Sequence, residues 1–236
     1  MILKRKHSDV FGQAALDYLN GNKKARISVT TNISFKEYIQ AAYLFRTYTE
    51  MDKTEQMALD SCKGTVLDIG AGTGCHALEL QNRGFEVFAN EKSELLCKVM
   101  HMQGIKNIMQ TDLWELDKIK ADTVLLMMNN IGIAGTLDNL PGFLMHIAGL
   151  LNNDGQILAT SSDISYLFEY GPLDFNTYYG ELIYTMKYKW GNRETFPWLF
   201  IDPERLESLM QHIGLKMEML YSDNAMKKYL VRITKS

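Results

Sequence analysis

The stretch Val66-Leu67-Asp68-Ile69-Gly70-Ala71-Gly72-Thr73-Gly74 carries the densest chemical signal in the chain. Val66, Leu67 and Ile69 read as the end of a buried strand, and Gly70, Gly72 and Gly74 then strip side chains from the turn that follows. Bare backbone N–H groups between a strand and a helix form a site for an anion or a nucleoside. The nicotinamide fingerprint places its third glycine three positions after the second. Here the third comes early, at Gly74, and position 75 is Cys, so dinucleotide binding is a poor fit.

The elements that must position this turn follow from periodicity. From Gly64 onward, apolar runs at 65–69, 85–90, 107–110, 122–128 and 156–161 alternate with helical patterns at 75–82, 93–103 and 140–151. This alternation predicts an α/β fold, a mostly parallel doubly wound sheet with helices on both faces. Asn139 and Pro141 open one helix, and Asn152 to Gly155 turn the chain after it. Asp202 and Pro203 start a later helix that Gly214 stops, and runs 215–221 and 228–234 predict a closing antiparallel strand pair.

Residues 1–62 are expected to form an N-terminal helical cap or lid in front of a domain at 63–236. Ser34 and Glu37 read as a capping box, with Phe35, Tyr38, Ile39, Ala42 and Phe45 at helical spacing behind them. Residues 165–200 form an aromatic insertion that holds twelve of the chain's 25 aromatic residues. A hairpin packing on the sheet accounts for them, as does an aromatic wall over a ligand; both can hold at once.

An acid followed by Gly-x-Gly-x-Gly, between a first strand and a first helix, resembles the first motif of the class I S-adenosylmethionine-dependent methyltransferases. The resemblance runs from about Gly64 to Ile164, and more loosely through the final helix and strand pair. It implies a Rossmann-like fold, S-adenosyl-L-methionine as cofactor, and cofactor contacts at Asp68, Gly70, Gly72 and Gly74. It also implies that Glu91, ending the run FEVFANE, grips both ribose hydroxyls, where the family more often has Asp. In IMQTDLWEL, Asp112 would accept from the adenine amine and Leu113 would offer its backbone N–H to a ring nitrogen; Asp112 also reads as a helix N-cap. Asn129, with Asn130 and Gly132, falls at the C-terminal edge of a central strand, where open parallel sheets bind ligands, and the resemblance makes Asn129 a further candidate cofactor contact. The (Asn/Asp)-Pro-Pro-(Tyr/Phe) motif of enzymes that methylate adenine in DNA or glutamine amides is absent there.

The activity so implied is methyl transfer to an N, O, S or C nucleophile of a small molecule, leaving S-adenosylhomocysteine. A general base is needed only for a nucleophile that arrives protonated. Asp163 in TSSDISY, Tyr178 and Tyr179 are the candidate catalytic residues. His76 reads better as a helix-face or capping residue and His146 as a structural histidine. Tyr166 and Arg46 are candidate substrate contacts; Arg46 suits a carboxylate but also fits a solvated helix face. A non-catalytic S-adenosylmethionine sensor and a nucleotide-binding protein using the same turn are the alternatives.

Composition narrows the remaining classes. A chain of 236 residues with 46% hydrophobic and 22% charged residues has the make-up of one globular core with appended elements. Formal net charge is -3, so no nucleic-acid partner is expected, and Lys4, Arg5, Lys6 and His7 read as a solvated tail. Cys62, Cys75 and Cys97 lack metal-ligand spacing, which argues against zinc or a disulfide framework and for a reducing compartment. No apolar run of roughly 18 residues and no secretory signal is present, so a cytoplasmic protein is expected and no membrane partner.

Overall fold

The computed structural model describes residues 8–168, 177–189 and 192–236. The basic cluster at Lys4 to His7, together with Tyr170, Phe175 and Trp190 of the aromatic insertion, lies outside the described residues. Before the glycine stretch come α1 (Val10–Leu19), β1 (Arg26–Thr31), β2 (Glu37–Gln40) and α2 (Lys53–Asp60). The predicted alternation follows: β3 (Val66–Ile69), α3 (Cys75–Asn82), β4 (Val87–Asn90), α4 (Glu94–Met102), β5 (Asn107–Met109), β6 (Ala121–Leu126), α5 (Leu140–Gly149) and β7 (Leu151–Ser162). After it stand β8 (Glu181–Tyr188), β9 (Asn192–Leu199), α6 (Pro203–His212), β10 (Leu215–Asp223) and β11 (Lys228–Lys235).

A seven-stranded sheet runs in the order β10-β11-β7-β6-β3-β4-β5, parallel from β7 to β5 and closed by the antiparallel β10–β11 pair. Every residue of β3 is buried, as a strand covered on both faces requires. Its neighbours alternate between two cores. Leu67 and Ile69 pack with Phe143 and Leu144 of α5 and Leu206 of α6, whereas Val66 packs with Leu59 of α2 and Leu80 of α3. From β3 the chain moves outward to β4 and β5, then returns on the other side as β6. The topological switch point therefore lies between β3 and β6, where open α/β sheets bind ligands beyond the strands' carboxyl ends.

The N-terminal segment departs from expectation. The apolar pattern at 35–45 forms β2 and a single 3-10 turn at Ala41–Phe45, not a helix, and Phe35 is left 95% exposed. Ser34 caps nothing; its hydroxyl accepts from Thr31 Oγ1 at 2.9 Å. Strand pairing decides the outcome. β2 forms a local hairpin with β1, β1 pairs with β8 (Val29 opposite Met186), and β8 with β9, giving a four-stranded antiparallel sheet in the order β2-β1-β8-β9. A hairpin built onto this sheet thus overrides the helical pattern. The aromatic segment does form a hairpin, but the hairpin joins the N-terminal strands and not the parallel sheet. Helix α1, capped by Asp9 through the Gly12 N–H, packs Ala15 against Leu96 and Val99 of α4 and so ties the second sheet to the first.

Candidate active site

A cleft of about 2740 Å³ opens between the carboxyl ends of β3, β4 and β6 and the four-stranded sheet. The glycine turn forms part of its floor, and its glycines serve different ends. A Cβ on Gly74 would lie 2.1 Å from Ile105 Cδ1, and one on Gly70 would lie 2.9 Å from Asn130 Nδ2, so both permit close packing. Gly72, at φ +60°, has nothing within 4 Å of a Cβ position, so a ligand can approach the turn closely there, although its N–H is given to Glu91 Oε2. Thr73 donates from its hydroxyl to the Leu44 carbonyl, anchoring the turn to the N-terminal segment.

Across the switch point, Asn130 Nδ2 donates to the carbonyls of Ile69 at 2.7 Å and Gly70 at 3.1 Å. Met128 and Asn129 precede it at φ 52° and 64°, a left-handed conformation that costs non-glycine residues energy and clusters at functional sites. The Asn129 backbone N–H donates to Thr160 Oγ1 and its Nδ2 to the Leu199 carbonyl, while its Oδ1 is buried without a partner.

Two acids stand at the strand ends. Asp68 is 1% exposed; burial pushes its carboxyl up to about 6, against the pull of His76 and the Ala77 N–H, and its Oδ2 has no partner. Glu91 is nearly as buried, and burial raises its carboxyl above the usual range despite N–H donors from Ser93 and Gly72. Those donors sit at 2.9 Å from Oε1 and 3.1 Å from Oε2, one per oxygen. A carboxylate has about four acceptor sites, so each oxygen keeps one for a further donor.

Behind the turn lies an ion cluster that the sequence does not announce. Glu55 Oε1 accepts from Arg46 Nη2 at 2.5 Å and His76 Nε2 at 2.8 Å, all three side chains being at least nine-tenths buried. Burial opposes the Glu55 charge, but His76 and Arg46 outweigh it and its carboxyl lies low. Burial likewise opposes charge on His76, but Cys75, Glu55 and Asp68 outweigh it and raise its imidazole above the usual range. Asp52 and Glu55 do form a capping box at the start of α2, the one local signal for Glu55. Arg46 is thus neither a solvated helix-face charge nor a residue lining the cleft. It stacks on Tyr43, with Nε and Nη1 buried and unpartnered.

At the far end Asp112 caps a 3-10 turn by accepting from the Trp114 N–H at 3.1 Å, and Leu113 and Trp114 line the cleft beside it. His146 donates to the Leu113 carbonyl at 2.8 Å and lies against Trp114, which fits the structural histidine expected. The three catalytic candidates, by contrast, are not brought to the cleft. Tyr178 and Tyr179 donate to Asp202 Oδ2, Tyr179 also to Asp163 Oδ1, and Asp202 caps α6 through the Arg205 N–H. Satisfied by one another, Asp163, Tyr178 and Tyr179 fix the start of α6 and are absent from the cleft lining among the described residues. Tyr166 is half exposed on a 3-10 turn and likewise lies outside it.

No helix among the described residues is long and apolar enough to cross a membrane. Comparison with known proteins places this geometry. A family model described as a methyltransferase domain matches residues 38–220. Among solved structures, the chain is similar to an S-adenosylmethionine-dependent methyltransferase from Bacteroides fragilis, in complex with S-adenosyl-L-homocysteine, at 38% identity and a TM-score of 0.89, over 97% of this chain and 95% of that one. The CcbJ methyltransferase from Streptomyces caelestis shares the fold at 14% identity and a TM-score of 0.59, over 81% of this chain and 93% of its own. DhpI, as its S-adenosylhomocysteine complex, does so at 13% and 0.58, over 96% and 98%. No curated protein matches the chain in sequence. With a family model spanning most of its length and a near-complete relative at 38% identity, the chain belongs to the class I S-adenosylmethionine-dependent methyltransferases.

Proposed function

We propose that the cleft holds S-adenosylmethionine along the carboxyl ends of β3, β4 and β5 and presents its methyl group to a small molecule held beneath the four-stranded sheet. Buried polar groups without partners cost about 1–3 kcal/mol each, so a bound group that satisfies them is favoured. Along the cleft the unpartnered atoms are a carboxylate oxygen of Asp68 and the side-chain oxygen of Asn129. Both are acceptors, and the Asp68 carboxyl matches the ammonium of an amino-acid end. In this reading Glu91 takes the ribose hydroxyls on its two remaining acceptor sites, Asp112 takes the adenine amine, and the space left by the missing side chain at Gly72 admits the centre of the molecule.

The cofactor supplies a methyl carbon already activated by a sulfonium, so the protein's part is mainly orientation, which contributes up to roughly 7–11 kcal/mol in favourable cases. Asn129 and Met128 border the acceptor, and the N-terminal segment from α1 to the 3-10 turn at Ala41–Phe45 acts with the β8–β9 hairpin as a lid. Asp163, Tyr178 and Tyr179 hold α6 in place and carry no proton in the reaction. One observation carries the choice of a small acceptor: the cleft is roofed by the second sheet, yet at about 2740 Å³ it exceeds the roughly 300–1,000 Å³ of a single ligand pocket.

Calorimetric titration with S-adenosylmethionine and S-adenosylhomocysteine, with ATP and NAD as controls, tests the first half. Selective binding near or below about 100 µM is expected, and equal or better binding of ATP would overturn it. For the second half, a cell extract is divided by ultrafiltration. S-adenosylhomocysteine should form with the small-molecule filtrate; turnover only with the retained macromolecules would refute a small acceptor.

A further inference from the structure

The two faces of the four-stranded sheet differ in kind. On β8 and β9 the register pairs Tyr184 with Phe196, Met186 with Glu194 and Leu182 with Trp198, so strand alternation puts these side chains on one face. That face turns to the cleft, where Tyr184, Met186, Glu194, Phe196 and Trp198 all line the wall, while Ile183 and Thr185 on β8 belong to the opposite one and stay outside it. Part of the inner face is core: Met186 and Tyr188 pack with Val10 and Ala14 of α1. The rest is not. Trp198 and the following Phe200 are half-buried, line the cleft and join none of the four apolar clusters.

The rings there are ordered among themselves. Tyr184 and Phe196 lie nearly parallel, with centroids 6.0 Å apart and 9° between planes, Phe200 lies 6.4 Å from Tyr184, and Trp198 meets Phe196 edge-on at 5.8 Å. The wall is also fixed to the reaction end of the sheet. A Cβ on Gly132 would lie 2.4 Å from Trp198 Nε1, so only glycine admits the indole there, and Asn129 Nδ2 holds the Leu199 carbonyl next to it.

We propose that the acceptor carries a planar aromatic ring that seats against Tyr184, Phe196 and Trp198, with its nucleophile turned toward Asn129. The inference rests on the methyltransferase reading given above. Flat faces and a hydrogen-bearing ring edge favour a planar π-system over a saturated ring of equal size, whereas simple apolar burial would not distinguish them.

The test uses the full chain saturated with S-adenosylhomocysteine and two probes, β-naphthol and its fully saturated analogue decalol, each titrated by calorimetry. β-Naphthol should bind about 10-fold more tightly, several ring contacts each contributing a few-fold. Phe196→Leu and Trp198→Leu should each shrink that ratio about 3-fold to 10-fold while S-adenosylhomocysteine affinity stays within about 2-fold. Phe196→Leu keeps the test open where Trp198→Leu fails to fold against Gly132. Equal binding of the two probes, binding of neither, or a ratio preserved in folded variants overturns the aromatic acceptor. Failure of S-adenosylhomocysteine itself to bind, read before either probe is added, sinks the methyltransferase reading instead and this inference with it.

Discussion

Asp68 and Glu91 lie at the ends of adjacent parallel strands, whereas Asp163 and Asp202 lie beyond the ends of β7 and β9, and the two pairs of acids are in opposite states. Asp202 accepts from both Tyr178 and Tyr179, and Asp163 from Tyr179 and the Ser165 N–H. Their polar groups are satisfied within the chain, and they stabilise a helix start. Asp68 keeps a buried oxygen without a partner, and burial raises the carboxyls of both Asp68 and Glu91. An acid whose needs are met at home is part of the scaffold, and one left short in a cleft is arranged for a ligand.

That contrast can be broken at several points. The largest effect is expected where the ligand-facing region leans on the ion cluster. Glu55→Ala removes the partner shared by buried Arg46 and His76 and should destabilise the fold by about 3–5 kcal/mol in urea unfolding. A loss below about 1 kcal/mol would mean that water reaches both cations.

Next comes Glu91→Ala, which should leave the fold intact and weaken cofactor binding about 10-fold to 100-fold, the loss of one or two bonds to a charged group. Unchanged affinity in a folded variant would remove Glu91 from the ribose.

A smaller, pH-dependent effect is expected at Asp68. Its carboxyl is held at about 6, above the usual carboxylate range, so the native state binds this proton more tightly than the unfolded chain. The stability it contributes is present below the unfolded value of about 3.9 and is lost as pH rises through about 6. Ligand affinity runs the other way, because an ammonium favours the ionised acid. S-adenosylhomocysteine should bind about 10-fold more tightly at about pH 7 than at about pH 5, with the step removed in Asp68→Asn. A flat profile in the wild type would place the ammonium elsewhere.

The smallest effect tests the scaffold acids. Tyr179→Phe should cost about 1 kcal/mol of stability and change S-adenosylhomocysteine production from an active extract less than about 3-fold. A drop of about 100-fold without unfolding would return this network to catalysis.

How much of this was legible depends on the range of the information. The strand and helix alternation from Gly64 to Ser162 was readable because each element's periodicity lies within its own few residues. The closing β10–β11 pair and the Asp202-Pro203 helix start were local in the same sense. The helix anticipated at 35–45 failed because its apolar residues pair instead as a strand with β1, and what holds β1 on its other edge is β8, some 150 residues away. Asp163, Tyr178 and Tyr179 read as catalytic candidates in sequence because nothing in their neighbourhood reveals that both tyrosines donate to Asp202 and that Tyr179 reaches Asp163.

By itself, then, the sequence determined the parallel sheet, the bare turn at Gly72 and the acids Asp68 and Glu91, since apolar periodicity, glycine spacing and strand ends are properties of short stretches. Only the tertiary structure decided that a second sheet roofs the cleft, that Arg46 and His76 share Glu55, and that one acid goes unpartnered while another is satisfied. Burial and hydrogen-bond satisfaction depend on which distant segments meet, and no window of sequence contains both partners.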